Sequence, residues 1–346
     1  MNKHKFKYRW NLSDGYPKSN GLNVFGTFIC GGGSTMGYKL AGFNHLGGVE
    51  IDPKIAAVYK ANHNPKYLYI EDIREFNKRT NLPDELYNLD LLDGSPPCSS
   101  FSMAGNREKD WGKEKVFKEG QAMQTLDDLF FDYIVLAKKL QPKIVLAENV
   151  KGLIQGNAKN YVHKIKKGFE DAGYKVQLFL LNAASMGVPQ KRERVFFICQ
   201  RNDLNLPKLF LKFDEKAIVY SEIEDDIFEN KVANCDLQYL NICEQGKPIA
   251  SVHPKGNRFN SIKLHPNRVV NTIASGSEIY HYFKIKALSN NELKLAGSYP
   301  MDYNFKSVNA KYLIGMSVPP VMTAQIANQL YLQWFSKPIK TDENQT

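Results

Sequence analysis

No Cys-x-x-Cys pair occurs in this chain, and its five cysteines, Cys30, Cys98, Cys199, Cys235 and Cys243, are odd in number. That combination argues against a disulfide framework and against a cysteine zinc site, and no metal is expected. It favours a reducing compartment. No apolar run approaches the length needed to cross a bilayer, and Met1 to Tyr8 is basic and polar without an apolar segment. The expectation is a soluble, cytoplasmic protein with no membrane partner. Gly-x-x-x-x-Gly-Lys-Ser/Thr is absent as well, which disfavours a loop that cradles a triphosphate. Internal repeats and long low-complexity tracts are also missing. Acidic residues are in deficit, 36 against 46 Lys and Arg, for a formal charge of +10. Such an excess suits a polyanionic partner, because Lys and Arg displace counterions from phosphates, but alone it leaves ribosomal, membrane-surface and simply soluble readings open.

What is present can build a large core. A chain of 346 residues fits one big α/β domain with an appendage, or two domains. From about Leu22 to Ile198, short β-like runs alternate with amphipathic helical stretches, the pattern of a doubly wound, mostly parallel sheet. Strands are predicted at Leu22 to Ile29, Leu46 to Glu50, Tyr67 to Ile70, Leu89 to Leu92, Ile144 to Ala147, Val176 to Leu181 and Val195 to Cys199. Helices are predicted at Pro53 to Asn62, Leu126 to Leu140 and Tyr161 to Ala172. After Gln200 regularity is lost, and Lys212 to Ser289 reads as a small irregular lobe. Its second half interleaves His253, Lys255, Arg258, Lys263, His265 and Arg268 with Phe259 and Ile262. That composition suits phosphates and base edges, or simply a solvated basic loop. Helical pattern returns from Ser289 to Leu295 and after Pro319-Pro320. The division expected is a catalytic and cofactor-binding domain at 22–200, the lobe at 201–288, and a returning segment at 289–335.

Two short segments end apolar runs: Pro96-Pro97-Cys98 and Glu148-Asn149-Val150. If the runs are neighbouring parallel strands, a thiol and a carboxyl face one pocket at their carboxyl ends, where open α/β sheets place ligands. Cys30-Gly31-Gly32-Gly33 follows the first strand and opens a helix, Glu50 ends the second strand, and Asp72 follows the third. Glycines followed by two acidic strand ends suit an adenosine-containing cofactor with few phosphates. S-adenosylmethionine and a nicotinamide dinucleotide both satisfy this, and spacing does not separate them. Each residue also has a bland reading: a tight turn, a small buried thiol, a helix-capping Glu148, or solvated Arg192 and Arg194.

At Gly94-Ser95-Pro96-Pro97-Cys98-Ser99-Ser100-Phe101-Ser102 the chain resembles the DNA (cytosine-5) methyltransferases. The ordered matches continue through Glu148-Asn149-Val150, Gly187-Val188-Pro189-Gln190-Lys191-Arg192-Glu193-Arg194, Leu295-Ala296-Gly297-Ser298-Tyr299-Pro300 and Gly315-Met316-Ser317-Val318. The resemblance covers about Phe25 to Leu330 apart from the irregular lobe. It implies methyl transfer from S-adenosylmethionine to carbon 5 of cytosine in a specific sequence of double-stranded DNA. Cys98 would be the nucleophile that adds to carbon 6 of a base swung out of the helix. Glu148 would hold the proton at ring nitrogen 3, kept partly protonated by burial. Arg192 and Arg194 would serve one the base oxygen and the other Glu148 or a phosphate.

By the same resemblance Phe28, Cys30, Gly31, Gly32 and Gly33 line the cofactor pocket, Glu50 holds the ribose, Ile51 packs on adenine and Asp72 binds its amine. Ile73, Pro96, Leu129, Ser317 and Val318 complete that pocket. Ser99 to Thr125 corresponds to a mobile closing loop, 201–288 to the target recognition region, and Arg268 to Ile273, with Thr272, to its anchor. A monomer is implied, with a cognate restriction endonuclease acting separately as a candidate partner in a restriction-modification setting. The chain departs from the family pattern at Gly26, where an acid is usual, at Cys30 for the first glycine, at Ser99 for glutamine, and at Met316 for asparagine. RNA cytosine methylation, a catalytically degraded DNA binder and a nicotinamide dehydrogenase are the competing readings. The last leaves Pro-Pro-Cys and Glu-Asn-Val unexplained.

Overall fold

The computed structural model describes residues 4–97, 128–155, 159–276 and 278–336. Seven strands form one sheet: β1 (Asn23–Thr27), β2 (Asn44–Glu50), β3 (Tyr67–Ile70), β4 (Leu91–Gly94), β5 (Ile144–Val150), β6 (Tyr174–Asn182) and β7 (Glu193–Arg201). Their order is β3-β2-β1-β4-β5-β7-β6. The first five are mutually parallel, and β4 lies beside β5 with Gly94 opposite Ala147. The chain moves outward from β1 to β3 and then returns to the other side of β1, so a topological switch point opens between β1 and β4.

One strand departs from the parallel expectation: β7 runs antiparallel to both β5 and β6. Only residues 183–192 link β6 to β7, too few for the crossover that a parallel neighbour requires.

The central strands are apolar on both faces because both faces are covered. Leu91, Ile144, Leu146, Phe196 and Ile198 pack with Tyr38, Val321, Met322 and Ile326 on one side. Leu92, Val145, Ala147, Phe197 and Cys199 pack with Leu129, Phe130 and Tyr133 on the other. The covering helices include α1 (Gly33–Leu40), α2 (Pro53–His63), α3 (Ile73–Lys78), α4 (Leu129–Leu140) and α5 (Lys159–Asp171). Asp52 caps α2, accepting from the backbone N–H of Lys54 and Ile55, with Pro53 in the first turn where its missing donor costs nothing. Residues before 128 on the approach to α4 lie outside the described ones.

Beyond β7 regular structure is sparse, as composition suggests. The stretch holds α6 (Asn234–Leu240) and a parallel pair, β8 (Ser261–Lys263) and β9 (Glu278–Tyr280). It has a small core of its own around Leu240, Cys243, Ile249 and Tyr280. It also shares a cluster with the rest of the chain: Ile218, Tyr220, Val270 and Ile273 pack with Trp10, Met36, Leu293 and Leu313. The last two belong to α7 (Asn290–Ala296) and α8 (Ala310–Met316), which precede α9 (Pro320–Leu330). Trp10, upstream of the domain that periodicity delineates, is 6% exposed. Its indole N–H donates to the Ser298 carbonyl at 3.0 Å. Among the described residues no helix is long and apolar enough to cross a membrane.

Candidate active site and cofactor cleft

The end of β4 and the end of β5 are tied directly to each other. The Asn149 side-chain amide donates to the Pro96 carbonyl at 3.1 Å. The Tyr133 hydroxyl sits 2.9 Å from the carbonyls of both Leu92 and Leu146, one on each strand. The Pro-Pro turn is thereby held against the strand end that carries Glu148 and Asn149. Cys98 and the Ser99 to Thr125 segment lie outside the described residues.

Glu148 is 8% exposed, and its Oε1 lies 2.9 Å from Arg194 Nε. Arg194 also donates from Nη1 to the Glu193 carbonyl at 2.8 Å. Burial pulls the Arg194 guanidinium below its ordinary range, and Glu148 opposes that pull. The second arginine behaves differently. Arg192 is 2% exposed and donates to the carbonyls of Ile273 and Gly315, each at 2.9 Å. Burial pushes its pKa down to about 9, with the neighbouring Arg194 as a second cause. Of the predicted basic pair, Arg194 meets Glu148, while Arg192 fastens the end of the irregular stretch and the last motif onto the sheet. The same junction is stitched by Thr272, whose hydroxyl donates to the Lys191 carbonyl at 2.6 Å, and by the Ile273 N–H on the Gln190 side chain at 3.1 Å.

A cleft of about 120 Å³ opens beside this site at the carboxyl ends of β1 to β4. Phe28, Cys30, Glu50, Ile51, Asp72, Ile73 and Leu129, which the resemblance assigns to a cofactor pocket, all line it. Glu50 accepts the Cys30 N–H at 2.9 Å and the Asp52 N–H at 3.0 Å. Burial raises its carboxyl pKa, and these backbone donors counter the rise. Asp72 caps α3 by accepting from Arg74 N–H at 2.8 Å. Pro96 faces Asn149, and its neighbours Ser95 and Pro97 line the cleft instead. Gly33, Ser317 and Val318 line a smaller adjoining cavity of about 20 Å³.

The backbone at the turn decides where Cys30 belongs. Cys30 has φ +47°, the left-handed region that favours glycine, so the cysteine stands at a position whose backbone suits glycine. Phe28 is also left-handed, with φ +53°. Gly33 is needed for a different reason: a Cβ there would fall 2.1 Å from the Val318 carbonyl oxygen.

Sequence reasoning missed Val49, Ile55, Glu71 and Tyr312 in the cleft wall and Asp93 in the smaller cavity. Asp93 carried a readable signal, a carboxyl inside a run buried on both faces. In the irregular stretch, two of the six basic residues turn inward. Arg258 grips Asp236 with two hydrogen bonds of 2.7 and 2.6 Å, and Lys263 donates to the carbonyls of Leu240 and Cys243 at 2.7 and 3.0 Å.

Comparison with known proteins adds family and fold. The profile of the C-5 cytosine-specific DNA methylase family matches residues 22–255. The type II methyltransferase M.NgoPII of Neisseria gonorrhoeae is 37% identical over 56% of this chain and 52% of its own length. M.FnuDI of Fusobacterium nucleatum is 35% identical over 61% of this chain and 56% of its own. The chain thus spans about half the length of these two curated relatives. M1.HphI of Haemophilus parahaemolyticus is 27% identical over 88% of this chain and 86% of its own length. Among solved structures, the Dnmt2 methyltransferase of S. pombe shares the fold at a TM-score of 0.61, covering 90% of this chain and 99% of that one at 15% identity.

Proposed function

Taking as premise that the chain belongs to the C-5 cytosine-specific DNA methylase family, we propose that it transfers a methyl group from S-adenosylmethionine to carbon 5 of cytosine in a specific DNA sequence. The observation that carries this reading is the meeting of three segments: the Pro96-Pro97 turn held by Asn149, the buried Glu148–Arg194 pair, and the adjoining cleft with carboxylates at successive strand ends.

The cleft suits the cofactor chemically. Apolar walls from Phe28, Ile51, Ile73 and Leu129 fit an adenine ring, Glu50 suits the ribose hydroxyls, and Asp72 suits an exocyclic amine. When bound there, S-adenosylmethionine supplies an electrophilic methyl group. The protein's own residues do the rest. Cytosine is a weak nucleophile at carbon 5, so Cys98 adds a thiolate at carbon 6 of the flipped-out base and turns the ring into an enamine; once carbon 5 is methylated, its proton leaves to solvent and the carbon 6–sulfur bond breaks, freeing Cys98. Glu148 holds the proton at ring nitrogen 3, and Arg194 fixes the Glu148 carboxyl in place. Arg192 acts through the backbone, holding the junction that carries Arg194. The stretch 201–288 serves as target recognition region between the catalytic part at 22–200 and the returning segment at 289–335. The protein works as a monomer on double-stranded DNA, alone or beside a separately acting restriction endonuclease.

The test is transfer of labelled methyl from S-adenosylmethionine to DNA by the purified full chain, with RNA as competitor, and with Cys98→Ser alongside. Transfer to DNA that disappears in Cys98→Ser is expected. Transfer to RNA alone would move the substrate class, no transfer over many DNA sequences would leave a DNA binder, and full activity in Cys98→Ser would remove the thiol from its role.

A further inference from the structure

The glycine turn is shaped from behind by residues that do not line the cleft. The Gly31 carbonyl accepts a hydrogen bond from His63 Nε2 at 3.0 Å and another from the Tyr303 hydroxyl. His63 is the last residue of α2 and is 6% exposed. Its ring packs against Tyr59 at 4.6 Å between centroids. The adjacent Asn62 locks this corner to the C-terminal segment, donating to the Asn304 carbonyl and accepting the Asn304 N–H, each at 2.8 Å. A Cβ on Gly32 would lie 2.2 Å from His63 Nε2, so the imidazole is wedged against the turn as well as bonded to it.

The turn needs such support. Phe28 and Cys30 both hold left-handed φ values, +53° and +47°, and an L-residue adopts that backbone only where its surroundings over-determine it. In this conformation Cys30 donates its N–H to Glu50 at 2.9 Å. The strain and the brace therefore act on the same few peptide units.

We infer that His63 and Tyr303 are positioning residues for the methyl donor: they impose on the turn a conformation that Cys30 resists, and so hold Glu50 and the cleft wall ready for the cofactor. The inference rests on the cofactor reading given above. His63 acts as a neutral Nε2–H donor. Burial pushes its pKa down to about 3, so the brace persists across the neutral range.

The experiment measures the affinity of the full chain for S-adenosylhomocysteine by titration calorimetry, without DNA, and follows thermal unfolding of the same samples. Tyr303→Phe removes one hydroxyl, and His63→Leu removes the imidazole donor. Each is expected to weaken binding about tenfold, the usual effect of leaving a buried acceptor one partner short. His63→Gln, whose amide nitrogen reaches to about the position of Nε2, is expected to restore binding. Cys30→Gly added to Tyr303→Phe should recover most of the loss, because glycine takes a left-handed φ without strain. A purely structural role would lower thermal stability without this recovery. Unchanged affinity in Tyr303→Phe, or no recovery with Cys30→Gly, overturns the inference even if His63→Leu fails to fold. Wild-type protein that does not bind S-adenosylhomocysteine overturns the cofactor reading itself, and the inference with it.

Discussion

Replacing Asp93 with Asn should make this protein more stable at alkaline pH and change it little at acid pH. Asp93 lies on β4 and is 5% exposed. Its Oδ1 accepts the Tyr38 hydroxyl at 3.0 Å. Burial pushes its carboxyl up to about 7 from an ordinary 3.8; Tyr38 and Ser34 oppose the rise, and the charge of Glu148 on the neighbouring strand adds to it. The folded protein therefore keeps a proton that the unfolded chain releases. The resulting stability is fully present below the unfolded pKa and is lost as pH rises through the folded one. Across that whole interval the loss is on the order of 4 kcal/mol, and between about pH 5.5 and 7 it is about 2 kcal/mol. Asn keeps an acceptor for Tyr38 but carries no charge to desolvate, so the Asp93 part of the slope should vanish. Urea unfolding of both proteins across this window, at fixed ionic strength and with matching m values, measures the difference. Parallel pH profiles for wild type and Asp93→Asn would refute the reasoning, as would a variant equally destabilised at every pH.

Three other perturbations test the site. Gly33→Ala places a Cβ 2.1 Å from the Val318 carbonyl oxygen and should cost about 2 kcal/mol or more in chemical denaturation, with S-adenosylhomocysteine binding lost in calorimetry. Arg192→Met strips hydrogen bonds from two carbonyls held at 2.9 Å. Relief of a buried charge offsets part of the cost, and a net loss of about 3 kcal/mol in unfolding free energy is expected. Glu148→Gln should slow methyl transfer by ~10²- to 10⁴-fold, since an amide does not cycle a proton, while DNA affinity measured by filter binding stays near wild type.

Much of this was legible in the sequence because the central strands are buried on both faces and appear as apolar runs. β3 falls at Tyr67–Ile70 as predicted, and β5 extends the predicted run by the Glu148-Asn149-Val150 segment that carries the site. Strand direction was not legible: an apolar run has no sign, and only the short link before β7 fixes it. The two arginines of the Gln190 to Arg194 segment were likewise indistinguishable. Their different fates depend on the carbonyls of Ile273 and Gly315, 81 and 123 residues away, and carbonyls leave no mark in a sequence. Arg258 and Lys263 illustrate the same limit, since a basic residue that grips Asp236 within the stretch looks no different from one aimed at phosphate.

The position of Arg194 against Glu148 follows from how the preceding residues are held. Arg194 is the second residue of β7, opposite Val150, and Lys191 and Arg192 just before the strand lie in neither helix nor strand. What fixes that segment is the chain at 270–273. Lys191 N–H donates to the Val270 carbonyl at 2.8 Å, Thr272 returns a bond to the Lys191 carbonyl, and Arg192 closes onto Ile273. Arg192 and Arg194 flank Glu193 on one short stretch, so the bonds to 270–273 hold the backbone just before the guanidinium that meets Glu148. The boundary between the sheet and the irregular stretch thus lies, through hydrogen bonds, next to the Arg194–Glu148 pair.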